Sequence, residues 1–282
     1  MNVFHSKDAL KTFLALAIQG NNSIGFVPTM GAIHQGHLAL MEQAINENQL
    51  VVVSIFVNPT QFNNNEDLEK YPRTLERDLT IIGQLSPQII VYAPSVDDIY
   101  QGTTVAERFE YDGLENEMEG ANRPGHFDGV GTVVKKLFEI VQPQKAYFGE
   151  KDFQQLQIIR KMVEKNNMNV EIIGCPIFRE ENGLAMSSRN ERLSDKAKQK
   201  AAFIYETLLE AQKLFQRTTL SDVILFVTSS FQNMPDFTLE YFIIADEESL
   251  ESATKKELGR KYRGFIVVHI EEVRLIDNIA FN

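Results

Sequence analysis

Two histidines three residues apart, His34 and His37, lie in the string Pro28-Thr29-Met30-Gly31-Ala32-Ile33-His34-Gln35-Gly36-His37. An apolar run at 23–28 precedes the string, and a helical period marked by Leu38, Met41 and Ile45 follows it, so the pair falls on a strand-to-helix turn. At a helix N-terminus, unpaired amides and the positive end of the helix dipole attract anions, and glycines at 31 and 36 let a phosphate approach the backbone. Imidazoles there add donors that can follow charge developing on phosphate oxygens. One histidine beside a turn is commonly a satisfied polar group; the pair in this setting points to nucleotide chemistry.

Three further strings carry polar groups at the ends of apolar runs. Phe56-Val57-Asn58-Pro59-Thr60-Gln61-Phe62 ends a run in a proline turn with two amides, Asn58 and Gln61, able to donate to a carboxylate or accept from a hydroxyl. Asn58 reads equally well as a turn former. Phe148-Gly149-Glu150-Lys151-Asp152-Phe153-Gln154-Gln155 places an ammonium, Lys151, where a phosphate would sit, and Gln155 where it can face a second substrate. Asp152 and Gln155 also have capping-box-like spacing, so a purely helix-capping role stays open for both. Ala185-Met186-Ser187-Ser188-Arg189-Asn190 offers hydroxyls and a guanidinium from a polar loop, a pattern that by itself is commonly a solvated turn. Two weaker features remain. Glu119 to Phe127, with Arg123 and His126, reads as a turn of either structural or site-directed purpose. Asp78 is a candidate Mg²⁺ ligand near ATP phosphates, with a solvated helix face as its plainer reading.

These strings need a scaffold that brings strand ends together. Over the first 175 or so residues, continuous apolar runs at 23–28, 50–57, 88–93, 145–148 and 170–173 alternate with helix-period segments. That order predicts an α/β domain, a Rossmann-like parallel sheet with helices on both faces, and strand ends along one edge. Val130, Val133, Val134, Leu137, Phe138 and Val141 form an amphipathic helical stripe for packing on it. After Phe178 a charged loop leads to a helix with Ser194 as candidate N-cap, then strand-like runs at 239–245 and 264–270. We therefore expect residues 1–176 to form the Rossmann-like ATP- and acid-binding domain and 177–282 a smaller C-terminal α+β lid domain, sharing a cleft.

Composition narrows the function classes. With 43% apolar and 24% charged residues the chain can bury a core, and a net charge of -11 disfavours nucleic acid as a partner. A single cysteine, Cys175, excludes an internal disulfide or a multi-cysteine zinc site and fits a reducing cytoplasm. No apolar run approaches membrane-spanning length, and the N-terminal residues do not read as a signal peptide.

Taken in order, FVNP-x-QF, RPGHF, GEKD-x-QQ and SSRN with the paired histidines resemble the pantothenate synthetase family, over about residues 23–190. That family is related to the nucleotidyltransferases and class I aminoacyl-tRNA synthetases. The resemblance implies ATP-dependent condensation of pantoate with β-alanine through a pantoyl adenylate, releasing pyrophosphate and AMP, with Mg²⁺ as countercharge and a homodimeric assembly. It implies ATP along Met30, Gly31, Ala32, Ile33, His34, Gln35, Gly36 and His37, with Gly149, Glu150, Lys151, Asp152, Met186, Ser187, Ser188 and Arg189 enclosing it and Phe178 touching adenine through its backbone. His37, His34, Lys151 and Arg189 take the catalytic positions; Gln61 and Gln155, with Asn58, take the pantoate and β-alanine positions. Phe178 stands where members often have Val, and Ile33, Gln35 and Thr60 also depart from commoner choices. Two rival readings stay open on residues alone: a nucleotidyltransferase whose acceptor is a phosphate, and a nucleotide-binding regulator without turnover. The paired amides argue against the first, because a phosphate acceptor would meet more Arg or Lys. The full set of phosphate donors argues against the second.

Overall fold

Short runs rich in Val, Ile and Phe become buried strands wherever helices cover both faces of a sheet. The computed structural model describes residues 1–281, the side chains of Asn65 and Asp67 excepted. It contains β1 (Asn2–Phe4), β2 (Ile24–Thr29), β3 (Leu50–Ile55), β4 (Ile90–Tyr92), β5 (Lys145–Gly149) and β6 (Glu171–Cys175), all parallel, in the order β1-β4-β3-β2-β5-β6. The five expected strands are present with ends moved by one to two residues, and β1 is an addition. Three residues on a sheet edge give too short a pattern to read from sequence.

The strand order reverses direction between β2 and β5, which is where open α/β sheets bind ligands outside their strands' carboxyl ends. Pairing of β2 with β5 covers only Gly25 and Phe26, whereas pairing with β3 runs on to Thr29. Pro28, which has no amide to donate, therefore lies where the ladder to β5 has already ended.

Side chains alternate across the sheet. Val27, Val51, Val53, Val91 and Tyr147 point to one face, with Met41, Ala44 and Ile82 from the covering helices. Phe26 points to the other, 6.1 Å from Phe138. The helix His126–Val141 carries Phe138, and it is buried well beyond its apolar stripe: Gly129, Gly131 and Thr132 are buried too. A Cβ on Gly131 would sit 2.3 Å from the Tyr111 hydroxyl, so the segment through Phe109 and Tyr111 covers the side the periodicity leaves polar.

By packing, the chain divides into two compact units. One comprises Met1–Glu150 with Gln154–Pro176; the other comprises Lys151–Phe153 with the chain from Ile177 onward. The second unit is an antiparallel sheet, β7 (Phe237–Asp246), β8 (Tyr262–Ile270) and β9 (Val273–Ala280), against the helices Asp195–Phe215 and Leu220–Gln232. Ala201, Ile204, Leu208, Val223, Ile266 and Val268 are among its core. Ser194 caps the first of these helices through its hydroxyl, which accepts the Ala197 amide at 3.1 Å. Among the described residues no helix is long and apolar enough to cross a membrane.

Candidate active site

The turn after β2 is built around a buried carboxylate. Asp78, on the helix Leu75–Leu85, is 0% exposed and accepts the amides of Ala32 at 3.0 Å and Ile33 at 2.8 Å. Thr74 Oγ1 lies 3.2 Å from both of its oxygens. Gly31 and Ala32 both have positive φ, +83° and +50°, and a Cβ on Gly31 would come 3.0 Å from Asp78 Oδ2. Positive φ is costly for alanine, and two charge-assisted bonds over-determine it. The β2 end is tied as well: Thr29 Oγ1 accepts the Gly31 amide at 3.2 Å and donates to Ser54 O at 2.7 Å.

These contacts give Asp78 a structural role in the turn, beside its sequence reading as a cation ligand. Its oxygens face amides and a hydroxyl and are closed off from the surface, so it serves as a brace for the turn. Among the described residues no group of three His, Cys, Asp or Glu side chains is gathered for a metal. Asp78→Asn would turn an amide N–H₂ toward a buried backbone N–H. We expect the ligand-free protein to lose about 1–3 kcal/mol of unfolding free energy, the cost of one unpaired buried donor. Urea melts with and without EDTA check this. An unchanged midpoint in EDTA would return Asp78 to the role of metal ligand.

The brace sets the entry to the helix Gln35–Glu47, for which His34 is the N-cap and His37 lies in the first turn. Their rings stack with centroids 4.0 Å apart at 25°. His37 Nδ1 lies 3.4 Å from the His34 backbone N–H, which assigns the proton of the neutral ring to Nε2 and leaves Nε2 as a donor. Both side chains are half-buried, at the N-terminal end of the helix, where the dipole favours anions.

The turn after β3 sits alongside. Gln61 is 8% exposed; its Oε1 accepts Asn58 Nδ2 at 3.1 Å, and its Nε2 is 3.2 Å from Met30 Sδ. The amide of Gln61 thus adjoins the residue that opens the histidine turn. Asn58, 1% exposed, is engaged at every polar atom: Nδ2 also donates to Gly129 O, and Oδ1 accepts from Thr60 and Tyr100. Those bonds shape the turn and orient Gln61. Burial raises the pKa of the Tyr100 phenol, so it remains a donor to Asn58 throughout the neutral range.

Gln154 and Gln155 part company. Gln154 is buried, accepts the Glu119 amide and donates to Leu114 O and Glu117 O, so it ties its helix to the 114–119 segment. Gln155 is half-buried in the first turn of the helix Phe153–Lys165. Gly149 ends β5, and a Cβ there would meet nothing within 4 Å.

Lys151 belongs by its packing to the second unit. Asn278 Nδ2 donates to its carbonyl at 2.9 Å, and the next aromatic, Phe153, lies under the Arg263 guanidinium at 3.9 Å. Within that unit Lys151, Ser187, Arg189, Asn190, Arg274 and Asp277 line one recess. Its cations make it suited to phosphate oxygens. Ser187 Oγ accepts the Arg189 amide at 3.3 Å and keeps its own proton to donate. Asn190 pins the loop from below, donating to Glu180 at 2.7 Å and Ala185 O at 3.1 Å. The stretch from Phe178 to Met186 is a tight antiparallel turn: the Met186 amide donates to Phe178 O, and Arg179 bridges to Ala185. Arg179 itself pairs bidentately with buried Asp277, at 2.7 and 2.9 Å, and stacks on Tyr205 at 3.6 Å. Sequence reasoning passed over Arg179, Asp277 and Asn278, since their partners lie up to 127 positions away.

The single thiol takes no part. Burial pushes the pKa of Cys175 up to about 12, far from nucleophilic at neutral pH.

Comparisons with known proteins bear on what this arrangement serves. The family model described as pantoate-beta-alanine ligase matches residues 2–280. The chain is 58% identical over 280 residues to a pantothenate synthetase of Flavobacterium psychrophilum, covering 99% of each. A pantothenate synthetase crystal structure from Thermus thermophilus superposes with a TM-score of 0.91 at 41% identity, covering 100% of this chain and 99% of that one. A pantoate-beta-alanine ligase from Francisella tularensis, solved in complex with beta-gamma ATP and beta-alanine, gives 0.81 at 36% identity over 100% and 98%.

Proposed function

The chain belongs to the pantoate-beta-alanine ligase family, and from that premise we propose that it condenses pantoate with β-alanine using ATP, through a pantoyl adenylate. A pantoate carboxylate oxygen attacks the α-phosphorus, the bond to the bridging oxygen breaks, and pyrophosphate leaves. The β-alanine amine then attacks the acyl carbon of the mixed anhydride, loses a proton, and AMP departs.

The observation that carries the reading is local to the first unit. Gln61 presents its amide 3.2 Å from Met30, and four residues on the stacked histidines occupy a helix N-terminus. An acid-recognising amide and phosphate-directed imidazoles thus share one sheet edge. His34 and His37 donate to phosphate oxygens, and they count most as charge builds on the leaving pyrophosphate. The backbone of Ala32 and Ile33 holds the turn, its amides being committed to Asp78. Lys151, Ser187, Ser188 and Arg189 of the second unit supply further phosphate donors, and Gln61 with Gln155 orients pantoate.

The residues present do not fit a Mg²⁺ ion held by the protein, because Asp78 is committed to the turn. An ion of this kind accompanies the nucleotide on its phosphates. A cytoplasmic homodimer completes the reading; light scattering of the purified protein tests the dimer.

Adenylation precedes the amine, so labelled pyrophosphate should exchange into ATP when pantoate is supplied and β-alanine withheld. Exchange that requires β-alanine would remove the two-step mechanism.

A further inference from the structure

The RPGHF segment has no part in the chemistry proposed above, yet its polar groups converge on one atom. His126 Nδ1 lies 2.7 Å from the carbonyl oxygen of Gln61, and Arg123 Nη2 donates to the same oxygen at 3.3 Å. A carbonyl can only accept, so Nδ1 carries the proton. Nε2 of the neutral ring is then the acceptor for Arg123 Nη1, at 3.2 Å. Guanidinium, imidazole and carbonyl form one oriented chain across 65 residues of sequence, and His126 is buried.

The same helix holds the turn from its other side. A Cβ on Gly129 would sit 2.3 Å from Thr60 O and 2.7 Å from Gln61 N, so glycine is needed for the backbones to meet. Gly129 O accepts Asn58 Nδ2, the group that also donates to Gln61 Oε1. Asn63 Nδ2 adds a bond to Pro124 O at 2.8 Å. The main chain of Gln61 is gripped by Arg123 and His126, and its side chain is aimed by Asn58, which rests on Gly129.

We propose that Arg123 and His126 are positioning residues for acid recognition, fixing the Gln61 backbone so that its amide meets pantoate in one orientation. This rests on the reading that Gln61 binds the acid. Neither residue need touch a substrate. The consequence is selective: loosening the clamp weakens pantoate capture and leaves the histidine turn, braced separately by Asp78, in place.

The test is steady-state kinetics on the full chain with His126→Asn, His126→Gln and His126→Ala, alone and with Gln61→Ala. An asparagine amide nitrogen falls near the Nδ1 position of histidine, whereas that of glutamine falls near Nε2, so asparagine alone keeps the donor to Gln61 O. We expect His126→Ala and His126→Gln to raise the pantoate KM about tenfold, with the ATP KM within about twofold of wild type, and His126→Asn to restore most of the loss. In the Gln61→Ala background, His126→Ala should add no further change in pantoate KM. If the alanine variant fails to fold, the asparagine and glutamine pair still decides. Equal pantoate KM values for those two, or full additivity with Gln61→Ala, would overturn the clamp while leaving Gln61 as the acid's ligand. A normal pantoate KM in Gln61→Ala alone would instead remove the reading of Gln61, and the clamp's purpose with it.

Discussion

Replacing His37 by alanine should lower kcat by about a hundredfold or more while ATP affinity changes far less. The ring sits in the first turn of the helix Gln35–Glu47, with Nδ1 turned to the His34 amide and the ring proton on Nε2. A donor so placed interacts weakly with ground-state ATP and more strongly as charge accumulates on the departing pyrophosphate. Losing one such donor costs on the order of 3 kcal/mol in the barrier, or about a hundredfold. The fold should tolerate the change, because the turn is held by Asp78 rather than by the ring. Single-turnover formation of the adenylate, with a urea melt as control, separates the two contributions. Near-normal turnover in a folded variant would make the stacked pair of histidines a structural cap.

Gln155→Glu should fold normally, bind ATP and fail with pantoate. Glutamate preserves any capping role at this position, since both side chains can accept a backbone N–H at the start of a helix. It replaces a donor with a negative charge where the acid's carboxylate or hydroxyl would sit. Loss of a bond to a charged group is about 2–3 kcal/mol, so kcat/KM for pantoate should fall roughly 30- to 150-fold. The neighbouring residue provides a contrast. Gln154→Glu would press a carboxylate against the carbonyls of Leu114 and Glu117, and should lower stability. Wild-type pantoate kinetics in Gln155→Glu would leave the first turn of this helix without a role in acid recognition.

The two adjacent glutamines show where sequence reading stops. Their types and their place after a strand and a glycine are legible, but one step along a helix rotates a side chain by about 100°, and which one faces a neighbouring segment depends on that segment's position. Asn58 is similar. Its type and place in the turn are legible, but not that Tyr100, Thr60 and Gly129 meet its amide.

Period and punctuation alone determined the parallel-sheet core of the first unit, the helix stripe at Val130 to Val141, the Ser194 cap and the strings at the strand ends. These are local properties: alternation, the 3.6-residue repeat, and glycine or proline at turns operate over a few residues. Tertiary structure decided which buried polar atom meets which. Asp78 reaches back 46 residues to the Ala32 amide, His126 reaches 65 to Gln61, and Asn278 reaches 127 to Lys151, whose segment consequently packs with the second unit. A buried donor or acceptor must find a partner, yet nothing local specifies one, because many residues of the right type are available and only the folded chain brings one of them to about 3 Å.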